Sequence, residues 1–279
     1  MSLDPKASPK AIYSFVVDGD PRFANQTHIF LTTLLAAGVS PHDIVAQVTP
    51  SVVPVMRSMI AGFGVRQVAL HPILDRAYCN KIAQYDALLD TDADFIILRD
   101  TDLAFLDDLR SLFDPDAVRA KPVDLPNPPL AVLEQIRAAM GIATEPRIVP
   151  TDCKPSAYTY ATNCNGGLYI IPRAHLASIA AHILPETQAI ADHIDLLGQW
   201  AIHLDQVGFA MTMLRLGLDV REIPGAYNFP MHLPSTSWPA VTEPPKVLHY
   251  HWLTDARGLV KTVGDPMVDH AVQEVNRLL

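Results

Sequence analysis

An α/β fold with a mostly parallel central sheet flanked by helices is predicted by three observations. Short β-branched and aromatic runs alternate with longer segments of helical apolar spacing through the first hundred residues, the order that gives parallel strands joined by right-handed crossovers. One run, FIIL at 95–98, has no polar alternation, as expected of a central strand covered on both faces. Acids follow two of the predicted strands directly, where open parallel sheets bind their ligands.

The elements follow in order. AIYSFVV (11–17) is a strand ending in the turn-like DGDP, and residues 23–38 carry apolar side chains at helical spacing up to Gly38, a suitable C-cap. DIVAQVT (43–49) reads as a strand, 53–64 as a helix, VRQVAL (65–70) as a strand, and CNKIAQYDALL (79–89) as a helix leading into FIIL. The Pro-rich stretch from KPVDLPNPPL (121–130) to 155 predicts ordered loops crossing the sheet. In NCNGGLYIIPR (163–173) an Asn-Gly-Gly turn runs into the strand LYII; helical patterns continue to 216, KVLHYHW (246–252) is a late strand, and PMVDHAVQEVNRLL is a closing helix.

At 279 residues, 49% hydrophobic and 18% charged, the chain is long enough for one large well-packed domain or one domain plus a lobe. The net charge of −9 argues against a broad nucleic-acid or anionic-membrane surface. Three cysteines, Cys79, Cys153 and Cys164, have no metal-ligand spacing and read as buried or free thiols in a reducing compartment. MSLDPKASPK lacks the apolar core of a signal peptide, and no run approaches the roughly 18 apolar residues of a membrane span. A cytoplasmic protein is expected, at most peripheral to a membrane.

Beyond FIIL lies RDTD: Asp100 and Asp102 one residue apart at a strand end. Acids there can be turn formers or helix N-caps. Alternatively they hold a divalent cation, since carboxylate oxygens suit Mg²⁺ or Mn²⁺ and such ions carry substrate phosphates in their remaining positions. A histidine beside two carboxylates suits Mn²⁺ better than Mg²⁺. His249 and His251, on one side of a regular late strand, are both candidates. Asp18 and Asp20, after the first strand, belong near the same site.

FIILRDTDLAF, NGGLYII, LDQ and VLHYHW, in that order, resemble the motif set of GT-A-fold nucleotide-sugar transferases, most closely the retaining glycogenin and lipopolysaccharide galactosyltransferase type. The resemblance runs from the first strand to about residue 261. It implies a single domain over 1–279 built on a mixed, mostly parallel Rossmann-like sheet, with a nucleotide-binding half to about 110 and an acceptor half beyond. It implies transfer of a sugar from a nucleoside diphosphate sugar, a UDP-sugar, to a hydroxyl-bearing acceptor with retention. It also implies Mn²⁺ (or Mg²⁺) held by Asp100, Asp102 and His249. Carried over by position, Asp18, Phe23, Lys81, Thr101, Asn165, Gly166, Gly167 and Lys261 contact the donor, and Asp205 and Gln206 line the reaction centre. The family's Gly-x-x-Lys-Pro-Trp segment is replaced here by HWLTDARGLVK, with Arg257 and Lys261 as the available bases.

Rival readings exist for the same residues. IILRDTDLA also resembles the nucleophile motif of haloacid-dehalogenase-type phosphatases, with Asp100 attacking phosphorus, Asp102 as acid/base and GDPMVD (264–269) as a metal motif. Arg99 and Ala104 depart from that pattern, and Gly-Asp-Pro is also an ordinary helix start. A transferase-like fold that binds nucleotide sugar or carbohydrate without turnover is the third. The segment 121–160 and the region from Tyr227 to Trp238 are candidates for acceptor contact.

Overall fold

The computed structural model describes residues 9–279; the opening MSLDPKASPK lies outside them except for its last two residues. The alternation expected of the first hundred residues is present: β1 (Ala11–Val17), α1 (Arg22–Ala36), β2 (Ile44–Val48), α2 (Pro54–Gly62), β3 (Arg66–Ala69) and β4 (Phe95–Arg99). These strands pair in parallel. The chain continues through β5 (Leu103–Phe105), β6 (Val118–Pro122), α3 (Leu130–Ala139), β7 (Ile148–Pro150), β8 (Tyr158–Tyr160) and β9 (Cys164–Pro172). It ends with α4 (Arg173–Ala191), α5 (Leu204–Leu216), β10 (Val220–Glu222), β11 (Tyr227–Pro230), β12 (Val247–His249) and α6 (Pro266–Leu278).

The main sheet is seven-stranded in the order β10-β6-β9-β4-β1-β2-β3. β9 runs antiparallel to both neighbours, so the sheet is mixed but mostly parallel. β1 is followed by crossovers to β2 on one side and, later in the chain, β4 pairs on its other side, so the strand order reverses at the β1/β4 boundary. A crevice opens there beyond the strand ends. A second sheet, β11-β12-β5, brings the late strand β12 against β5, antiparallel. The segment linking β4 to β5 is DTD, so the two sheets meet at these acids.

Burial explains the sheet's centre. All five residues of β4 are buried, as the unbroken FIIL run requires. From α1, Ile29, Phe30, Leu31 and Leu34 are fully or almost fully covered, and the Phe30 ring meets Phe15 at 4.9 Å and Phe105 at 5.9 Å. Thr33 Oγ1 accepts the Phe105 amide at 3.1 Å, tying β5 to α1. No helix among the described residues is long and apolar enough to cross a membrane. The three cysteines are buried and free.

Arg99 breaks the apolar pattern at the last position of β4. It is 2% exposed, none of its guanidinium nitrogens has a hydrogen-bond partner among the described residues, and it lies among the rings of Tyr13, Phe30 and Phe105 at 4.8, 4.1 and 5.5 Å. Ring faces offset part of the desolvation cost, about 2 kcal/mol in dry surroundings. Burial still holds its pKa well below the usual arginine range. Replacing a buried charge by an apolar side chain of similar volume is commonly stabilising by about 1–4 kcal/mol. Arg99→Met is therefore expected to raise the thermal midpoint by several degrees; a lower midpoint in calorimetry would mean that the aromatic box outweighs desolvation.

Four segments differ from expectation. The stretch 121–155, expected as loops, contains the end of β6, α3 and the β7–β8 hairpin. LAVLEQIRAA starts directly after Pro129 and buries Leu133 and Ile136, three apart, which is enough apolar face to hold a helix. The helix expected at 79–89 is instead a run of 3-10 turns, Ala77–Gln84 and Asp86–Leu88. Side chains capture its carbonyls: Gln84 Nε2 bonds Lys81 C=O and Gln47 Nε2 bonds Gln84 C=O, both at 2.8 Å. Asn165, Gly166 and Gly167, expected as a turn, lie within β9. The late strand stops at His249 because His251 has φ 53° and the Leu253 amide closes a turn onto Tyr250 C=O at 2.9 Å.

Candidate functional site

The backbone of Asp100-Thr101-Asp102 is pinned from both sides. The Asp100 amide donates to Gly167 C=O at 3.0 Å, and the Tyr250 amide donates to Asp102 C=O at 3.1 Å. β9 and β12 therefore fix where the two carboxylates point, and they point to different partners. Lys81 Nζ lies 2.9 Å from Asp100 and 3.2 Å from Asp205. Asp102 faces histidines: His249 Nε2 is 3.3 Å from its Oδ1 and His251 Nδ1 is 3.6 Å from its Oδ2. The two like charges avoid sharing one neighbour.

Electrostatics follow the partners. Burial pushes the Asp100 carboxyl above its usual range despite Lys81, with Asp102 adding to the rise. For Asp102, burial is outweighed by His249, His251 and Lys81, which hold the carboxyl well below the carboxylate range. Burial opposes charge on Lys81, but Asp100 and Asp205 more than compensate and keep it protonated. Burial and the neighbouring His249 push His251 down to about 2 and His232 down to about 4, so both rings are neutral near pH 7. The His251 ring stacks on that of His249 at 4.0 Å and 11°.

Donor atoms of Asp102, His249 and His251 lie within 4.8 Å of one another. Asp102 Oδ1, His249 Nε2 and His251 Nε2 are buried without a hydrogen-bond partner among the described residues. Buried polar atoms left unpaired are costly, and a carboxylate beside imidazole nitrogens is a donor set that a Mn²⁺-like cation fits better than Mg²⁺. A second acidic group, Asp124, Asp152 and Cys153, already holds a cation of the chain itself: the buried Lys121 ammonium pairs with Asp124 and lies 3.1 Å from Asp152.

Two cavities meet at Lys81 and Asp100. One, of about 420 Å³, is lined by Asp18, Asp20, Phe23, Gln26, Thr101 and Asp102 among others, within the size range of small-molecule sites. The other, about 150 Å³, is lined by Asp124, Asn165, Gly166, Gln206, His232, His249 and His251 among others. Glycine is needed where β9 passes these groups. A Cβ on Gly167 would lie 2.9 Å from the His249 ring, and one on Gly166 3.0 Å from Lys81 Nζ.

Most residues singled out in the sequence converge here. Asp18, Phe23, Lys81, Thr101, Asp100 and Asp102 line the larger cavity; Asn165, Gly166, Gln206 and His249 line the smaller. Asp205 reaches Lys81 from the first turn of α5, and its side chain does not cap that helix. Arg257 and Lys261 sit exposed on the loop after β12, with the Lys261 amide bonded to Leu253 C=O at 2.9 Å. Asp265 caps α6 and Asp269 accepts the Val263 and Gly264 amides, so the acids of GDPMVD act as helix-start acceptors. Four residues were not legible beforehand: Lys121, Asp124, Asn228 and His232. Only Lys121 and Asp124 carried a signal, an opposite-charge pair three apart in KPVD.

No family model matches the chain, and no curated protein sequence matches it. Solved structures do. The galactosyltransferase LgtC, in complex with donor and acceptor sugar analogues, superposes with TM-score 0.53 at 15% identity, covering 95% of this chain and 94% of that one. The chain has a GT-A glycosyltransferase fold. Mouse xyloside xylosyltransferase 1 in its apo form gives TM-score 0.51 at 12% identity over 87% of this chain and 98% of its own. The glycosyltransferase GlyE of Streptococcus pneumoniae TIGR4 gives 0.50 at 12% over 97% and 60%. The phosphatase reading is not favoured by these neighbours.

Proposed function

We propose that the chain is a metal-dependent glycosyltransferase that moves a sugar from a nucleoside diphosphate sugar, a UDP-sugar, to a hydroxyl-bearing acceptor with retention. The observation that carries this reading is the pair of unpartnered buried atoms, Asp102 Oδ1 and His249 Nε2, 3.3 Å apart beside His251. In this reading Asp102, His249 and His251 hold Mn²⁺ (or Mg²⁺), with Asp100 next to them in the grip of Lys81. When bound, the ion supplies Lewis-acid stabilisation of the charge that builds on the departing diphosphate.

The chain's own groups supply the rest. Lys81, kept protonated between two acids, places a fixed positive charge where the cavities meet, suited to a leaving group that gains negative charge. Asp18 and Phe23 take the nucleotide base and Thr101 the adjoining polar edge. Gly166 and Gly167 let the donor approach the β9 backbone, and Asn165 fixes that backbone. Asp205 and Gln206 flank the anomeric carbon, where an acid and an amide help by charge and position. Gln206 is itself oriented, with Nε2 3.0 Å from His203 Nδ1. Lys261, with Arg257, is the base that the loop after β12 offers to the diphosphate.

A thermal-shift panel of UDP-, GDP-, CDP- and dTDP-sugars, each with and without Mn²⁺, tests the reading, because a ligand that binds the native state raises its melting temperature. One nucleotide series is expected to stabilise the protein, and only with the ion present. No stabilisation by any member would count against a nucleotide-sugar site.

A further inference from the structure

We infer that Asn228 is a positioning residue that fixes the tautomer of His249, and that a hydrogen-bond relay starting at the backbone of β9 dictates Asn228's own orientation. The inference rests on the reading of Asp102 and His249 as cation ligands, but its logic uses hydrogen-bond roles alone.

The anchor is a donor whose identity is not in question. The Gly167 amide N–H donates to Asn165 Oδ1 at 2.9 Å, so that atom of Asn165 is the oxygen. Its other amide atom is then the NH₂ group, and it donates to Asp124 Oδ2 at 2.8 Å. Asp124 suits this as a carboxylate acceptor, because the buried Lys121 ammonium pairs with its other oxygen. Asn165 Oδ1 also faces an amide atom of Asn228 at 3.2 Å. Facing an acceptor, that atom is Nδ2, so Asn228 Oδ1 is the atom 2.7 Å from His249 Nδ1. An amide oxygen only accepts, so His249 Nδ1 carries the proton. Nε2 of the neutral ring is left with a free lone pair, aimed at Asp102. Two acceptors facing at 3.3 Å repel unless a metal cation or a second ring proton, which Asp102 favours against burial, lies between them.

Local structure supports the assignment. Asn228 is fully buried, with φ 78°, at the point where the β11–β12 register shifts. A bulge residue re-aims its side chain, and asparagine tolerates the left-handed region better than most residues. Both Asn165 amide atoms are engaged with protein, which makes Asn165 part of the same relay.

Two variants test the inference. Asn228→Gly removes the amide without straining the φ 78° backbone, and Asn228→Asp retains an acceptor facing Nδ1. The first readout is the two-bond proton–nitrogen correlation spectrum of histidine-labelled, metal-free protein, at a pH where the His249 ring is neutral. The wild type and Asn228→Asp are expected to show Nδ1 protonated, and Asn228→Gly a mixture of tautomers. The second readout is Mn²⁺ affinity by calorimetry. Asn228→Gly is expected to weaken it about 10–100-fold, the size of losing an outer hydrogen bond to a ligating histidine. A wild-type ring protonated at Nε2, or an Asn228→Gly variant with unchanged tautomer and unchanged Mn²⁺ affinity, overturns the inference. If wild-type protein binds no Mn²⁺ while its spectrum shows Nδ1 protonated, the relay stands and the cation reading fails.

Discussion

Asp102→Ala is expected to lower metal-dependent transfer on the order of 10²–10³-fold, because losing a residue that would hold the cation removes a preorganised stabiliser of the developing charge. The fold should survive. The backbone hydrogen bond that Asp102 C=O accepts from the Tyr250 amide does not involve the side chain that is removed. What disappears is the carboxylate that faces both imidazoles. Steady-state rates over a Mn²⁺ titration, with circular dichroism as the folding control, check the prediction; a folded variant with full activity would remove Asp102 from the reaction.

Lys121→Met should produce the largest loss of stability. Lys121 has no exposed side-chain surface and is the cation that Asp124 and Asp152 share. Removing one member of a buried ionic group leaves uncompensated charge and costs about 3–5 kcal/mol, readable as a lower denaturant midpoint at unchanged slope. The pH dependence has a definite sign. Burial alone would lower the Lys121 pKa, but the two aspartates raise it above the ordinary 10.5. Its stabilising contribution is therefore complete below about 10.5 and is lost as pH rises through the raised folded value. Asp124 is opposed by burial yet held below 3.8 by Lys121; its contribution is present above 3.8 and lost as pH falls through the depressed value. The variant should lose the alkaline limb, and adding Asp152→Asn should recover part of the lost stability by removing one unpaired charge. A midpoint unchanged by Lys121→Met would show that the acids are neutralised another way.

The alternating strands and helices of the first hundred residues were legible because period-two and period-3.6 apolar spacing is local. The same held for α4, α5 and α6. What was not legible depended on partners distant in sequence. The 3-10 run at Ala77–Gln84 forms because buried Gln47 and Gln84 side chains take its carbonyls, which no local window contains. The in-strand placement of Asn165, Gly166 and Gly167 follows from the close pass of β9 by His249 and Lys81. At the site, the DTD acids stood out by their position after a buried strand. Their separate partners did not: spacing alone would let both share one ion, whereas Lys81 engages Asp100 and leaves Asp102 to two histidines. His251 entered through a left-handed turn rather than through the regular strand expected at 246–252. Asn228 had no sequence signal, since a buried asparagine in YNFP reads like any strand interruption until the Gly167 amide defines the relay.

The most direct measurement is the calorimetric affinity of UDP for the wild-type chain with and without Mn²⁺, repeated with Asp102→Ala. An ion that joins Asp102 and His249 to a diphosphate should make UDP binding at least about tenfold tighter in the wild type, and the gain should vanish in the variant. Equal UDP affinity in the presence and absence of Mn²⁺ would contradict the bridging role on which the proposed chemistry stands.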